Sequence, residues 1–268
     1  MKQIKIIITG ASGRMGKNNI SCVLEHPAAL LAGAIDIRQS AGFGCDAGAY
    51  AGLKPCGIKI TADLDELLPV CDAIIDFSTP SSSVELLKKA STAGKNCVIG
   101  TTGFSQEQEN FIRETAGNIA VVKASNFSCG ITLLLSLVNK AASALDDSFN
   151  IEIIEKHHNR KKDAPSGTAL SLAKAAALAR GLDLEQEMCT GRSGSNTERT
   201  KNEIGVLALR GGNIIGEHSV FFISDEEVIE LKHSALSRRV FSAGALNAAL
   251  FLQNKTSGFF TMNDVLGV

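Results

Sequence analysis

An excess of charge of either sign is missing from this chain. Its 27 Lys and Arg residues meet 28 Asp and Glu, a formal net charge of −1. No global field therefore favours nucleic acid or an anionic membrane. No stretch approaches the ~20 apolar residues of a membrane span. The opening MKQIKIIITG holds too short an apolar run for a signal peptide and flows straight into a glycine loop. The seven cysteines are odd in number and none form a Cys-x-x-Cys unit. That argues against a disulfide framework or a zinc site, and no metal is expected. They read as small buried apolar residues of a reducing compartment. There is no internal repeat and no low-complexity tail. A cytoplasmic protein without nucleic-acid or membrane partners is the expectation. Hydrophobic residues make up 44% of the 268 positions, ample for a core, and the length suits two domains or one large one at about 100–200 residues each.

What is present is a strand–helix alternation. Residues 4–9, IKIIIT, read as a buried parallel strand, and a helical stretch follows to about Glu25. LLAGAI at 30–35 is a second strand, ending at Asp36. Residues 41–57 hold five glycines and a proline and read as a loop. Ala62 to Leu68 reads as a short helix. Strands at 73–77, 96–100 and 119–122 alternate with helices over Ser81 to Ala93 and Ser105 to Thr115, the last with Ser105 and Gln108 set as a capping box. This alternation implies a Rossmann-like doubly wound parallel sheet. After a long apolar helix from Thr132 to about Leu145 the style changes. Strands at 149–156, 203–210, 213–224 and 226–234 imply an α+β domain with a mostly antiparallel sheet, with Gly211-Gly212 as a turn signal. Residues 190–202, rich in Gly, Ser, Thr and Arg, read as a mobile loop, and 241–254 as a final apolar helix.

Two segments carry chemistry. Gly10-x-x-Gly13-x-x-Gly16 lies between the first strand and first helix, where a dinucleotide fingerprint places its pyrophosphate. Asp36 ends the second strand, a little beyond the ~20-residue spacing of a ribose-binding acid. Its carboxylate suits the ribose hydroxyls and repels a 2′-phosphate, so it favours NADH over NADPH; Arg14 and Arg38 soften that preference. The second segment is Glu155 to Ala169, EKHHNRKKDAPSGTA. His157 and His158 are imidazoles able to take up or give a proton, Arg160, Lys161 and Lys162 can hold anions, and Ser166-Gly167-Thr168 opens a helix whose first N–H groups suit a carboxylate. Proton donor, cation and anion cradle together point to a small acidic molecule that must be protonated. His26, before Pro27, reads as structural; His218 and His233 in strand-like runs are left between cleft, core and surface.

With these segments, Gly100-Thr-Thr-Gly103 and Arg210-Gly-Gly-Asn-Ile-Ile-Gly216-Glu-His218 in hand, the chain resembles the 4-hydroxy-tetrahydrodipicolinate reductase (dihydrodipicolinate reductase) family of the diaminopimelate and lysine pathway. The resemblance spans essentially the whole length. It implies NADH- or NADPH-dependent reduction of a small dicarboxylate, with His157 as general acid/base and Lys161 as proton donor. It implies substrate-carboxylate contacts from His158, Gly167 and Thr168. It implies cofactor contacts from Gly10, Ala11, Ser12, Gly13, Arg14 and Met15, from Gly100, Thr101 and Thr102, from Ala124, Ser125, Asn126 and Phe127, and around Asp36, Ile37 and Arg38. It also implies a homotetramer built through the substrate domain's sheets, and a nucleotide domain over 1–126 to which residues 240–268 return after a substrate and oligomerisation domain over 127–239. Some members carry an arginine at position 37 or near Thr79; its absence here leans toward NADH. Which of His157 and Lys161 delivers the proton stays open. Two other readings share the nucleotide loop: a different imine-acting dehydrogenase, which does not require the HH…DAPSGT cluster, and a nucleotide-sensing regulator, which needs no proton donor.

Overall fold

The computed structural model describes residues 3–268. In chain order the elements are β1 Ile4–Thr9, α1 Arg14–Glu25, β2 Ala29–Ile35, α2 Ala47–Tyr50, β3 Ile60–Thr61, β4 Ala73–Asp76, α3 Pro80–Thr92, β5 Asn96–Ile99, α4 Gln106–Thr115 and β6 Ala120–Lys123. Then follow α5 Cys129–Ala144, β7 Asn150–His157, α6 Gly167–Arg180, α7 Leu184–Glu187, β8 Met188–Cys189, β9 Ile204–Arg210, β10 Glu217–Ile223 and β11 Val228–Ser234. The chain closes with α8 Arg239–Leu252, β12 Gly258–Phe260 and α9 Met262–Leu266. Two compact units result: residues 3–129 with 238–267, and residues 130–237 with Val268.

The first unit is a seven-stranded sheet in the order β12-β6-β5-β4-β1-β2-β3, and every pairing in it is parallel. Strand pleating explains its two cores. Ile6 and Ile8 point to one face, where α1 and α8 contribute Ile20, Val23, Ala245, Ala248 and Ala249. Ile7 points to the other, where Leu86 and Leu87 of α3 and Ile112 of α4 close over Ile74 and Ile99. A strand buried on both faces must be apolar throughout, hence IKIIIT. The order reverses between β1 and β4, which leaves a crevice beyond their carboxyl ends, where open α/β sheets bind ligands. The segment expected as a helix over Ala62 to Leu68 is instead a run of turns leading to a 3₁₀ turn at Leu68–Val70. Pro69 has no N–H for an α-helical hydrogen bond.

The second unit packs α5 and α6 on a five-stranded sheet, order β11-β10-β7-β9-β8. β10 pairs antiparallel with β11 and β7, while β7–β9 and β9–β8 are parallel. The sheet is therefore mixed. The expected run of antiparallel neighbours holds for β10 and β11, but β7 lies between β9 and β10, so Gly211-Gly212 does not close a hairpin. The chain from β7 to β9 crosses over through α6, and a crossover connection delivers parallel strands. α6 starts at Ser166, whose Oγ accepts from the Ala169 N–H at 3.2 Å, and stops at Gly181 in the left-handed conformation, φ +67°. Ala169, Leu172, Ala173, Ala176 and Ala177, at helical spacing, are its buried face. The 190–202 segment has no regular element, yet it is tied down: Arg192 and Arg199 both donate to Glu152, at 2.7 and 2.9 Å.

Candidate functional site

In the first unit the glycine loop is built by close backbone approach. Gly10 is left-handed, φ +64°, and a Cβ there would lie 2.5 Å from the Phe77 carbonyl oxygen beyond β4. A Cβ on Gly16 would lie 2.2 Å from the Gly10 carbonyl oxygen. The turn thus folds flat against the α1 start and presents backbone rather than side chains. Asp36 is locked to this loop: its carboxylate accepts the Ser12 N–H at 2.7 Å and its neighbour Ile37's N–H at 2.8 Å. Ser12 Oγ also bonds Ser40 Oγ at 3.0 Å. Gly10, Ser12, Gly13, Asp36, Ile37 and Arg38 border one cleft of about 920 Å³, at the upper end of the range for small-molecule and cofactor sites. Arg38 lies over the Phe43 ring at 5.7 Å.

The rest of the sequence-derived cofactor set does not border this cleft. Ala11 is fully buried and offers backbone only. Arg14 opens α1 and is exposed, with Met15 half-buried beside it. Phe127 is a core side chain: it is buried, with its ring 5.6 Å from that of Phe77. Gly100 is the space that Phe77 fills, since a Cβ there would meet the ring at 2.3 Å. Thr102 and Ser125 are exposed, and Ala124 and Asn126 partly so; Asn126 Oδ1 accepts the Ser128 N–H at 2.8 Å.

Thr101 leads to a residue that sequence reasoning missed. Asp76 ends β4 with no solvent exposure, and four hydroxyls converge on its carboxylate. They come from Thr9 at the end of β1, Ser78 at 2.6 Å, Thr101 at 2.9 Å, and Ser83 of α3. Thr101 Oγ1 in turn accepts the Ser78 N–H at 3.0 Å. One carboxylate therefore ties together the loops that follow β1, β4 and β5. The available signal was an acid ending a run of four otherwise apolar strand residues, AIID.

In the second unit the pleat of β7 does the placing. Ile151, Ile153, Glu155 and His157 share the face that packs on the helices, and all four are buried. The core face thus runs into a carboxylate and an imidazole at the strand's carboxyl end. His157 Nδ1 lies 2.6 Å from Glu155 Oε2. Arg210, ending β9, donates two bonds to the same carboxylate at 2.8 and 2.7 Å, and a third to the Asp163 carbonyl at 2.8 Å. The Ser166 N–H completes the set at 3.0 Å. Burial pushes the Glu155 carboxyl up, but the bonds from Arg210 and His157 outweigh it and hold the group below the usual carboxylate range. His218 on β10 stacks edge-on against His157 at 5.2 Å and bonds Ser166 Oγ at 3.1 Å. Burial first, and the neighbouring His157 second, push its pKa down to about 4.

Around this buried cluster lies the basic loop. Lys161 pairs with Asp163 at 2.8 Å. Arg160 donates to Asn213 at 2.8 Å, and Lys162 is exposed. His158 follows the last residue of β7 and is partly exposed; Gly167 and Thr168 form the first turn of α6. A Cβ on Gly167 would meet nothing within 4 Å, so the backbone there is open to a ligand. His157, Ser166 and the start of α6 are brought together; Lys161 is held in the same loop through Asp163 and Arg210. Sequence reasoning left Glu155 and Arg210 without roles and His218 undecided, because their convergence depends on the pairing of β7 with β9 and β10. His26 is structural: its Nδ1 accepts the Ala28 N–H at 3.2 Å. Burial pushes the pKa of His233 down.

Comparisons with known proteins agree on both units. The family model described as dihydrodipicolinate reductase, N-terminus, matches residues 4–127, and its C-terminus counterpart matches 130–266. A 4-hydroxy-tetrahydrodipicolinate reductase of Rhodopseudomonas palustris (strain BisB18) is 43% identical over 268 residues, 100% of this chain and 99% of the relative. One from Parvibaculum lavamentivorans is 46% identical over 266 residues, 99% of this chain and 98% of the relative. Among solved structures, a dipicolinate-bound dihydrodipicolinate reductase from Paenisporosarcina sp. TG-14 has the same fold, with a TM-score of 0.77 at 23% identity over 97% of each chain.

Proposed function

The chain belongs to the dihydrodipicolinate reductase family, and from that membership we propose that it reduces 4-hydroxy-tetrahydrodipicolinate to tetrahydrodipicolinate with a nicotinamide cofactor, in diaminopimelate and lysine biosynthesis. The observation that carries the reading is the union, in one unit, of a buried carboxylate-bound histidine with a serine-capped helix start. That is the equipment for protonating a bound dicarboxylate.

The first unit fits a dinucleotide. Its glycines leave room for a pyrophosphate where side chains would fill the turn, and Asp36 borders the cleft with lone pairs left for ribose hydroxyls. Gly10 to Met15, Gly100 to Thr102 and Ala124 to Phe127 would hold the cofactor, with Ala11, Phe77 and Phe127 shaping the loops from below. Asp36 and the uncharged Ile37 favour NADH, and Arg38 keeps NADPH in use. When bound, the reduced nicotinamide supplies the hydride.

The net reaction adds one hydride and one proton and releases water. Loss of the 4-hydroxyl, with a proton from the carbon beside the imine, releases the water and leaves a C=C–C=N system; hydride addition at its carbon end then leaves negative charge on nitrogen. His157, its Nδ1–H held by Glu155, delivers a proton from Nε2 to that nitrogen. Lys161 supplies the second cationic donor and offsets carboxylate charge. The Gly167 and Thr168 N–H groups and His158 receive the substrate carboxylates, which outcompete the Asp163 carboxylate for Lys161. The free thiols of all seven cysteines suit the cytoplasm, and assembly is as a homotetramer through the second unit's sheet, as the family resemblance implies.

The test is direct. Nicotinamide absorbance is followed with freshly generated 4-hydroxy-tetrahydrodipicolinate and with other cyclic and acyclic imines. Steady oxidation only with the former is expected. Turnover of another imine alone would favour a different dehydrogenase, and cofactor binding without turnover a nucleotide sensor.

A further inference from the structure

Glu155 has no solvent exposure, so it does not touch substrate, yet partners from three elements of the second unit converge on it. His157 comes from its own strand, Arg210 from β9 and the Ser166 N–H from the α6 start, and Arg210 also donates to the Asp163 carbonyl of the basic loop. A buried carboxylate with only structural duty needs its lone pairs satisfied. This one does more: of its donors, one is the side chain placed at the chemistry and another opens the carboxylate cradle.

We propose that Glu155 is the positioning residue for the reduction, holding the His157 ring with Nδ1–H toward itself so that Nε2 carries the transferable proton, and fixing the Ser166 helix start to the same ring. The inference rests on the reductase reading. Arg210 grips both carboxylate oxygens and prevents the group from rotating away, and a bidentate guanidinium is the side chain suited to that. Which imidazole nitrogen bears the proton is set by the bond the other nitrogen makes. A ring free to turn would present the wrong tautomer for part of the time, a defect known to cost large factors in histidine catalysis.

Among the described residues, the charged and titratable groups around His157 are Glu155 on its own strand, its register partner Arg210 on β9, and His218 on β10; Lys161 of the basic loop and His233 of β11, the register partner of His218, act electrostatically on His218. Replacing Glu155 by Gln removes the negative charge bonded to the ring at Nδ1. The protonated ring is then less favoured, and the alkaline fall of kcat moves to lower pH.

Glu155→Gln is expected to lower kcat at least about tenfold, to shift that alkaline limb to lower pH, and to leave NADH affinity in the absence of substrate unchanged. Retention of kcat and of the pH profile overturns the proposal. So does a fall in kcat with the limb unmoved, which marks a merely structural role. A second measurement needs no variant at Glu155: ¹⁵N spectra of histidine-labelled wild-type protein, with His157 assigned by its loss in His157→Gln. A neutral His157 protonated at Nδ1 is the expected result, and protonation at Nε2 overturns the proposal even where Glu155→Gln does not fold. Wild-type protein inactive on the substrate would instead remove the reductase reading, a distinct failure.

Discussion

Each of the two units buries one carboxylate completely, and they keep it by opposite means. Asp76 is held by neutral hydroxyls from Thr9, Ser78, Ser83 and Thr101. Glu155 is held by Arg210 and His157, with one backbone N–H. Hydroxyls supply direction without charge, so Asp76 fixes the shape of three loops, and among the described residues no cation is bonded to it. Arg210 supplies charge as well as direction, so Glu155 sits in a near-neutral cluster whose balance responds to a proton on His157. The first unit is organised for form, as a backbone cradle for a dinucleotide requires. The second is organised for charge, as proton transfer to an anion requires.

The comparison breaks most visibly at the charged cluster. His157→Gln should lower turnover by about 10²–10⁴-fold, the usual contribution of a general acid, while NADH affinity, measured by fluorescence, stays near wild type. A similar loss of NADH binding would mean that the charge cluster also serves the nucleotide unit.

Asp76→Ala should act on form instead. It strands at least three buried hydroxyls, each costing on the order of 1–3 kcal/mol unless it finds another partner. Denaturant unfolding should show a loss of about 3 kcal/mol or more, with weaker NADH binding. Asp76→Asn keeps an acceptor and should lose less. Equal effects of the two variants would show that acceptor geometry is not what Asp76 provides.

Acid should attack the second unit through His218. Its folded pKa of about 4 lies below the ordinary 6.5, so the unfolded chain binds the extra proton between these values. Its stabilising contribution is therefore complete above about pH 6.5 and is lost as pH falls toward 4, on the order of 3 kcal/mol in all. The lowered Glu155 pKa acts in the same direction, since its stabilisation is also lost as pH falls. Thermal melts from pH 7 to 4 should show the slope, and His218→Gln should flatten it. An unchanged slope in the variant would assign the acid sensitivity to Glu155 and the surface carboxylates.

Two smaller effects sharpen the contrast. If the α6 start cradles a carboxylate, Thr168→Val should weaken pyridine-2,6-dicarboxylate binding by roughly tenfold, the equivalent of about 1.4 kcal/mol for one charge-assisted bond. Calorimetry showing unchanged affinity in both Thr168→Val and Lys161→Ala would place the carboxylate elsewhere. Asp36→Ala should shift the NADPH-to-NADH preference only severalfold toward NADPH, because Arg38 already borders the cleft. A wild-type enzyme strongly preferring NADPH would mean that Arg38 outweighs Asp36.

Local pattern alone determined much of this. IKIIIT, the glycine spacing and the Ser105/Gln108 box specify β1, the turn into α1 and the start of α4, because each rests on neighbours in sequence. The DAPSGTA segment likewise announces the capped start of α6. Tertiary structure decided the rest. Arg210 lies seven positions before Glu217 and 55 after Glu155, yet β7 inserts between β9 and β10, which sets Arg210 on the Glu155 carboxylate and His218 on the His157 ring. Asp76 gathers hydroxyls from positions 9 to 101 for the same reason. Residue type and spacing show which groups seek a partner. Which partner each finds is fixed only when strands distant in sequence are set side by side, β1, β4 and β5 in parallel, β7 and β9 in parallel, and β10 antiparallel beside β7.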